Sequence, residues 1–194
     1  MGTLRGILFN QYAVEGLNIL IEEMQTKYKP KKGRRFHHDN VTYEIGRPTV
    51  KDNSLEIEIS SKIPQDELQN AKDLKTYFNE IKKILSHEKK KAEIVEMENI
   101  VWDSKKESEK EREYVKLTYR YALDELYDEE EAAKREKTFQ SGSHKESIPD
   151  IPSVVTLRGK LVLLQIRENI QKLIREHLNN LINANKTVRN KVAV

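Results

Sequence analysis

Apolar and polar residues follow two periods along this chain, and the switches between them mark its elements. From Thr3 to Thr26, Leu4, Ile7, Leu8, Val14, Leu17, Ile21 and Met24 recur at helical spacing, which predicts an amphipathic helix with Thr3 as its N-cap. Gly16 lowers helix propensity there and suits a close approach by a neighbouring element. Pro30 and Gly33 in KYKPKKGRR end the helix in a basic loop. The period then falls to two. Val41–Ile45 and Ser54–Ser60 read as strands around GRPTVKDN, where Gly46, Pro48, Asp52 and Asn53 are turn residues. Leu55, Ile57 and Ile59 alternate with Glu56 and Glu58, so one face is expected buried and the other wet and acidic.

Asp66–Glu88 returns to the helical period through Leu68, Ala71, Leu74, Phe78, Ile81 and Leu85, with acids in its first turn and lysines in its last. Ile94–Trp102 and Tyr114–Leu123 predict two more strands, and DSKKESEKERE between them a solvated loop or strand extension. LDELYDEEEAAKREKTF predicts a short, highly charged helix, and QSGSHKESIPDIPS a linker. The last helix starts at Thr156 and runs to about Ala184, lined by Leu157, Leu161, Leu164, Ile170, Leu173, Ile174, Leu181 and Ile182. Residues 1–140 thus form an α+β domain and 141–153 a linker. Residues 154–184 form a helix packed on that domain or on a neighbouring subunit, and 185–194 a fraying tail. The expected fold is a four-stranded, mostly antiparallel sheet with the long terminal helices and the middle helix on one face.

The tetrapeptide TLRG opens both terminal helices, at Thr3 and at Thr156. Laid over each other, the two segments match Leu8 with Leu161, Glu15 with Glu168, Leu20–Ile21 with Leu173–Ile174, and Glu23 with Glu176. As a helix start the motif supplies a threonine cap, an apolar first residue, an outward arginine and a glycine that lets another backbone pass. Similar helices at the two ends are expected to pack together, or equivalently against neighbouring subunits. A phosphate cradle needs several glycines after a strand, which neither copy has. Duplication and chance both remain open as origins.

Composition narrows the function classes. Of 194 residues, 37% are hydrophobic and 35% charged, so a modest core sits under a charged surface. The 35 basic and 32 acidic residues nearly cancel, which argues against a surface built throughout for nucleic acid. The absence of cysteine excludes disulfides, thiolate catalysis, cysteine-type zinc sites and iron–sulfur clusters. No apolar run approaches the roughly 20 residues that span a bilayer, and no secretory leader pattern opens the chain. A soluble, intracellular protein without membrane contact is expected.

Candidate chemistry is sparse. His37–His38–Asp39 falls in a turn, His87, His144 and His177 are scattered, and no two histidines stand at the i, i+4 spacing a helical metal site uses. Asp52, Glu56 and Glu58 have the flavour of a magnesium nuclease, but Ser60 stands where that chemistry needs lysine. Nucleophile-elbow, P-loop and dinucleotide motifs are absent. No catalytic residue, cofactor or metal is therefore assigned. The strongest local signal is basic: Lys27, Lys29, Lys31, Lys32, Arg34 and Arg35, with Tyr28 and Phe36 interleaved. Such a stretch either follows a phosphate backbone, with Tyr28 or Phe36 stacking on bases, or meets acidic surface such as Asp128, Glu129, Glu130 and Glu131 on this subunit or the next.

The order of a long first helix (Leu4–Met24), a Pro- and Gly-containing basic loop, strands VTYEI and SLEIEIS, the aromatic YRYALDELY and a closing helix introduced by IPDIPSVVTLRGKL resembles tail-completion and head–tail joining proteins of tailed bacteriophages. PKKG stands where that family carries a proline–threonine–glycine signature, and the helix Asp66–Glu88 and the acidic segment are additions. The resemblance implies a ring-forming virion component without catalysis, its basic loop near DNA or a neighbouring ring. The expected function is thus a non-enzymatic assembly protein that binds copies of itself and neighbouring structural proteins, in the virion when assembled. The alternative is a nucleic-acid-binding or regulatory module using the loop at 27–35.

Overall fold

The computed structural model describes residues 4–64, 71–86, 93–101, 111–142 and 155–192. Helix α1 spans Leu4–Lys27. Strands β1 (Lys29–Lys31), β2 (Arg35–His38), β3 (Val41–Ile45), β4 (Thr49–Lys51) and β5 (Ser54–Pro64) follow. Then come α2 (Ala71–Ser86), β6 (Glu93–Val101), β7 (Glu111–Ala122), α3 (Glu129–Gln140) and α4 (Leu157–Val192). Among the described residues the sheet has seven strands rather than four, all pairings antiparallel, in the order β1-β2-β3-β5-β7-β6 with β4 beside β3 on β5. The added strands β1, β2 and β4 are three or four residues long and mostly polar, too short to show a period of two.

Two turns of this sheet use the same chemistry. Asp39–Asn40 and Asp52–Asn53 all adopt positive φ, between 49° and 63°, which reverses the chain in two residues with the twist a hairpin needs. Aspartate and asparagine tolerate that backbone better than other residues with a Cβ.

Leu55, Ile57, Ile59, Ser61 and Ile63 of β5 are buried with Leu117, Tyr119 and Tyr121 of β7 and Val41, Tyr43 and Ile45 of β3, and the helices cover this face. Across β2, β3, β5 and β7 the opposite face is not acidic. Arg120 bonds Glu56 at 2.6 Å, Lys116 lies 3.2 Å from Glu58, and Arg35 bonds Glu44 at 2.8 Å, so its charges cancel in cross-strand pairs.

Helices α1 and α4 run parallel. Arg167 reaches Glu15, and Arg175 reaches Glu23 at 2.7 Å, both across 152 residues of sequence, nearly the spacing of the two TLRG copies. Between these ion pairs Gly16 meets α4 so closely that a Cβ there would sit 2.5 Å from the carbonyl oxygen of Arg167. The glycine that admits a neighbouring backbone is thus Gly16. Gly159, in the second TLRG, faces only the side chains of Val155 and Thr156, and its N–H donates to the capping Oγ1 of Thr156 at 3.1 Å. Thr3 lies outside the described residues.

The buried stripe of α1 is Phe9, Tyr12, Ala13, Leu17, Leu20, Ile21 and Met24, rotated from the expected one, and Ile7 is exposed. Helix α4 continues to Val192 through the expected tail, because Leu181, Ile182, Ala184, Asn185 and Val188 are buried in the core. From α2, Tyr77, Ile81 and Leu85 enter the same core. The expected linker lies largely outside the described residues.

A polar seam crosses this core. The Tyr77 hydroxyl donates to Asn185 Oδ1, and Asn185 Nδ2 donates to the Tyr43 hydroxyl at 3.2 Å, tying α2, α4 and β3 together. His177 of α4 stacks on Tyr119, ring centroids 4.2 Å apart. Burial pushes the Tyr43 and Tyr121 hydroxyls well above the ordinary tyrosine pKa, with Tyr119 and Glu176 adding to the rise at Tyr121. Both folded-state values exceed the unfolded value near 10, so their contribution is fully present below about pH 10 and is lost as pH climbs through the window above it. Urea midpoints are expected to fall steeply above about pH 10, and Tyr121→Phe to flatten that fall.

Candidate interaction surfaces

Only part of the basic stretch faces outward. It is a hairpin rather than a loop: β1 pairs with β2, and Gly33 at φ 75° makes the turn. Gln25 Nε2 of α1 donates to the carbonyls of Lys31, Gly33 and Arg35 at 2.9–3.3 Å, bracing the turn on the helix. Arg34 is a structural rivet. Its Nε donates to Ile45 O at 2.8 Å, Nη1 to Asn18 Oδ1 at 2.8 Å and Nη2 to Gly46 O at 3.3 Å. Burial, and then the neighbouring Arg47, lower its pKa. Arg35 belongs to the pair with Glu44. Lys27, Lys29, Lys31 and Lys32 remain exposed, Lys27 with its Nζ 5.2 Å from the ring centre of Tyr28.

The interleaved aromatics turn inward. Phe36 is fully buried, stacked between Tyr28 and Tyr43 at 5.5 and 5.2 Å, so it is not available to stack on a base. Tyr28 also touches the His38 ring at 4.2 Å. His37, on the other face of β2, approaches Thr42 Oγ1, so the adjacent histidines point apart. His87 and His144 lie outside the described residues.

Losing the Arg34 hydrogen bonds leaves the part-buried carbonyls of Ile45 and Gly46 without this donor. Arg34→Ala is therefore expected to lower stability by about 2 kcal/mol. Reversing all four lysines to glutamate is expected to leave the denaturation midpoint nearly unchanged. Urea titrations of the two variants check both statements.

The acidic segment divides in the same way. Asp128 caps α3, its Oδ1 accepting from Glu130 N at 2.8 Å and Glu131 N at 3.3 Å, while its own N–H donates to Gln165 Oε1 at 2.7 Å. Glu131 bonds Arg135 at 2.9 Å, and Arg135 also reaches Glu168 at 3.2 Å. Glu125, Glu129 and Glu130 are exposed.

These acids gather where both long helices begin. Arg5 donates to the Tyr127 hydroxyl at 2.7 Å and lies 3.6 Å from Asp124, while Arg158 bonds Glu136 at 2.8 Å. Side by side, the N-termini of two parallel helices concentrate positive dipole, and nearby carboxylates offset it. An open cleft of about 450 Å³ lies here, lined by Arg5, Phe9, Tyr127, Glu129, Arg158 and Leu163 among others. Sequence reasoning missed this cleft, although the repeated TLRG points to it: both of its arginines line the wall. At the other end, Lys27 closes α1 and Arg189 and Lys191 lie in the last turn of α4. At 1.5 Å per residue, roughly 27 Å of helix separates Phe9 in the cleft wall from Lys27. Glu129 in that cleft and the lysines of the hairpin therefore do not meet within one subunit.

Asp52 lies in the β4–β5 turn, and Glu56 and Glu58 are held by Arg120 and Lys116, so this trio does not converge. Among the described residues no group of three metal-ligating side chains comes together, and no helix is long and apolar enough to cross a membrane. No protein-family model matches the chain, and neither does any curated protein or solved structure.

Proposed function

We propose that this is a non-enzymatic assembly protein whose copies join head to tail, the lysine hairpin of one against the acidic helix-start end of the next, in the manner of a ring-forming neck or tail-completion component of a phage virion. The observation that carries this reading is the placement of two exposed clusters along the parallel helix pair: Glu125, Glu129 and Glu130 at one end, where Arg5 and Arg158 also lie, and Lys27, Lys29, Lys31 and Lys32 towards the other. Different surfaces meet in such a contact, so it closes into a ring or continues as a filament, depending on the rotation between neighbours. The hairpin suits the task because Arg34, Gln25 and Phe36 fix its backbone, so little is lost in ordering it on contact.

Light scattering on the eluting protein, with absorbance at 260 and 280 nm, tests the reading. A discrete oligomer free of nucleic acid at low salt is expected, dissociating near 1 M salt, where screening acts over about 3 Å. A monomer carrying excess absorbance at 260 nm supports instead the alternative, a nucleic-acid-binding module using the same lysines.

A further inference from the structure

The two margins of the sheet are built differently. At one, β1 is three residues long with Pro30 between two lysines. Short length, a missing N–H and flanking charge are the features that stop further strands from adding. At the other, β6 runs nine residues, Glu93–Val101, with no proline, and pairs only with β7 among the described residues. Proline thus blocks strand addition at one margin, and among the described residues no proline or further strand blocks the other, although β6 shifts register between Ile94 and Glu96.

Register across the sheet says what an added strand should carry. Arg120 of β7 stands between Glu56 of β5 and Glu93 of β6. In the next row Thr118 stands between Glu58 and Glu96, and in the third Lys116 stands between Ser60 and Glu98. Only the first of these rows runs acidic, basic, acidic, but all three end on a glutamate of β6, with a register shift between Ile94 and Glu96. Cross-strand pairs of opposite charge are favourable and like charges opposite each other are not. A strand beyond β6 meets opposite charge when its residues at these rows are lysine or arginine. The chain's own basic strand is unsuited to the place, because β1 is short and Pro30 offers no N–H.

We propose that β6 takes up an extended, basic segment of a partner protein as an eighth strand. Backbone hydrogen bonds along β6 supply affinity, and the rows at Glu93, Glu96 and Glu98 favour lysine or arginine opposite them. This surface is separate from the lysine hairpin and the helix-start end, so it stands or falls independently of head-to-tail assembly.

The test uses the full chain and a fluorescein-labelled peptide of alternating lysine and valine, roughly seven residues long. Two further peptides are its copy N-methylated at alternate residues and its glutamate counterpart. Fluorescence anisotropy measures binding, and hydrogen–deuterium exchange locates it. Binding of the lysine peptide with slowed exchange in residues 93–101 is expected. N-methylation, which keeps the charge but removes backbone donors, should weaken it at least tenfold, roughly the loss of a few hydrogen bonds. Combined Glu93→Gln, Glu96→Gln and Glu98→Gln should weaken it by about tenfold. The proposal is overturned by an absence of binding, by equal binding of the N-methylated peptide, or by protection located at 124–136. It is equally overturned when 93–101 is already protected in a self-associated protein, which would make the occupant a second copy.

Discussion

Replacing Gly16 by alanine lowers the stability of the protein by about 1–2 kcal/mol, although alanine is the better helix former by about 1 kcal/mol. The added Cβ would lie 2.5 Å from the carbonyl oxygen of Arg167, a backbone atom that cannot rotate aside. The helices must move apart, loosening contacts between two elements of the core. Gly16→Val, with two more methyl groups, costs more. Gly159→Ala provides the contrast, because its Cβ would meet only Val155 Cγ1 at 2.9 Å and Thr156 Oγ1 at 3.2 Å, side-chain atoms able to adjust. It is expected to change stability by less than about 1 kcal/mol. Urea unfolding of the three variants measures the order. An alanine at Gly16 that stabilises the protein would mean that the two helices do not pack as closely as this account requires.

Asn185→Ala is expected to cost about 3 kcal/mol, the larger effect of the two. The residue is 1% exposed, and its amide accepts from one buried tyrosine and donates to another. Alanine takes this shared partner from both tyrosines at once and opens a cavity in the core where α2, α4 and β3 meet. Asn183, two residues earlier and exposed, tolerates the same change. Equal urea midpoints for the two variants would contradict the assignment of Asn185 as the polar tie of the core.

Much of this architecture could be read from residue patterns, and the exceptions have physical causes. Strands β3, β5, β6 and β7 and helices α1, α3 and α4 lie close to where their periods put them. The stripe of α1 was misjudged because buried Ala13 and Gly16, the latter against α4, are small and carry little hydrophobic signal, while Ile7 carries one and is exposed. Strand β2 is held by one buried residue, Phe36, in a ladder with Tyr28 and Tyr43, which composition alone reads as a basic loop. Asn185 and His177 look like surface residues of a charged helix, yet α4 is buried over so wide an arc that both are inside.

The charged candidates were legible as types but not as roles. Arg34 and Lys32 differ little in sequence, and only the turn at Gly33 brings the carbonyls of Ile45 and Gly46 to the arginine. Asp128 and Glu129 are adjacent acids, one closing a helix end and the other exposed. The TLRG echo was the most informative sequence feature, since its spacing nearly equals that of the ion pairs joining α1 and α4.

Head-to-tail joining through opposite charges is tested most directly by exchanging the charges. One variant carries Lys27→Glu, Lys29→Glu, Lys31→Glu and Lys32→Glu, and the other Glu125→Lys, Glu129→Lys and Glu130→Lys. Light scattering at low salt should find the unmodified protein assembled, each variant alone monomeric, and an equimolar mixture of the two assembled again. Variants that assemble by themselves as the unmodified protein does, or a mixture that stays monomeric while the unmodified protein assembles, would contradict the account.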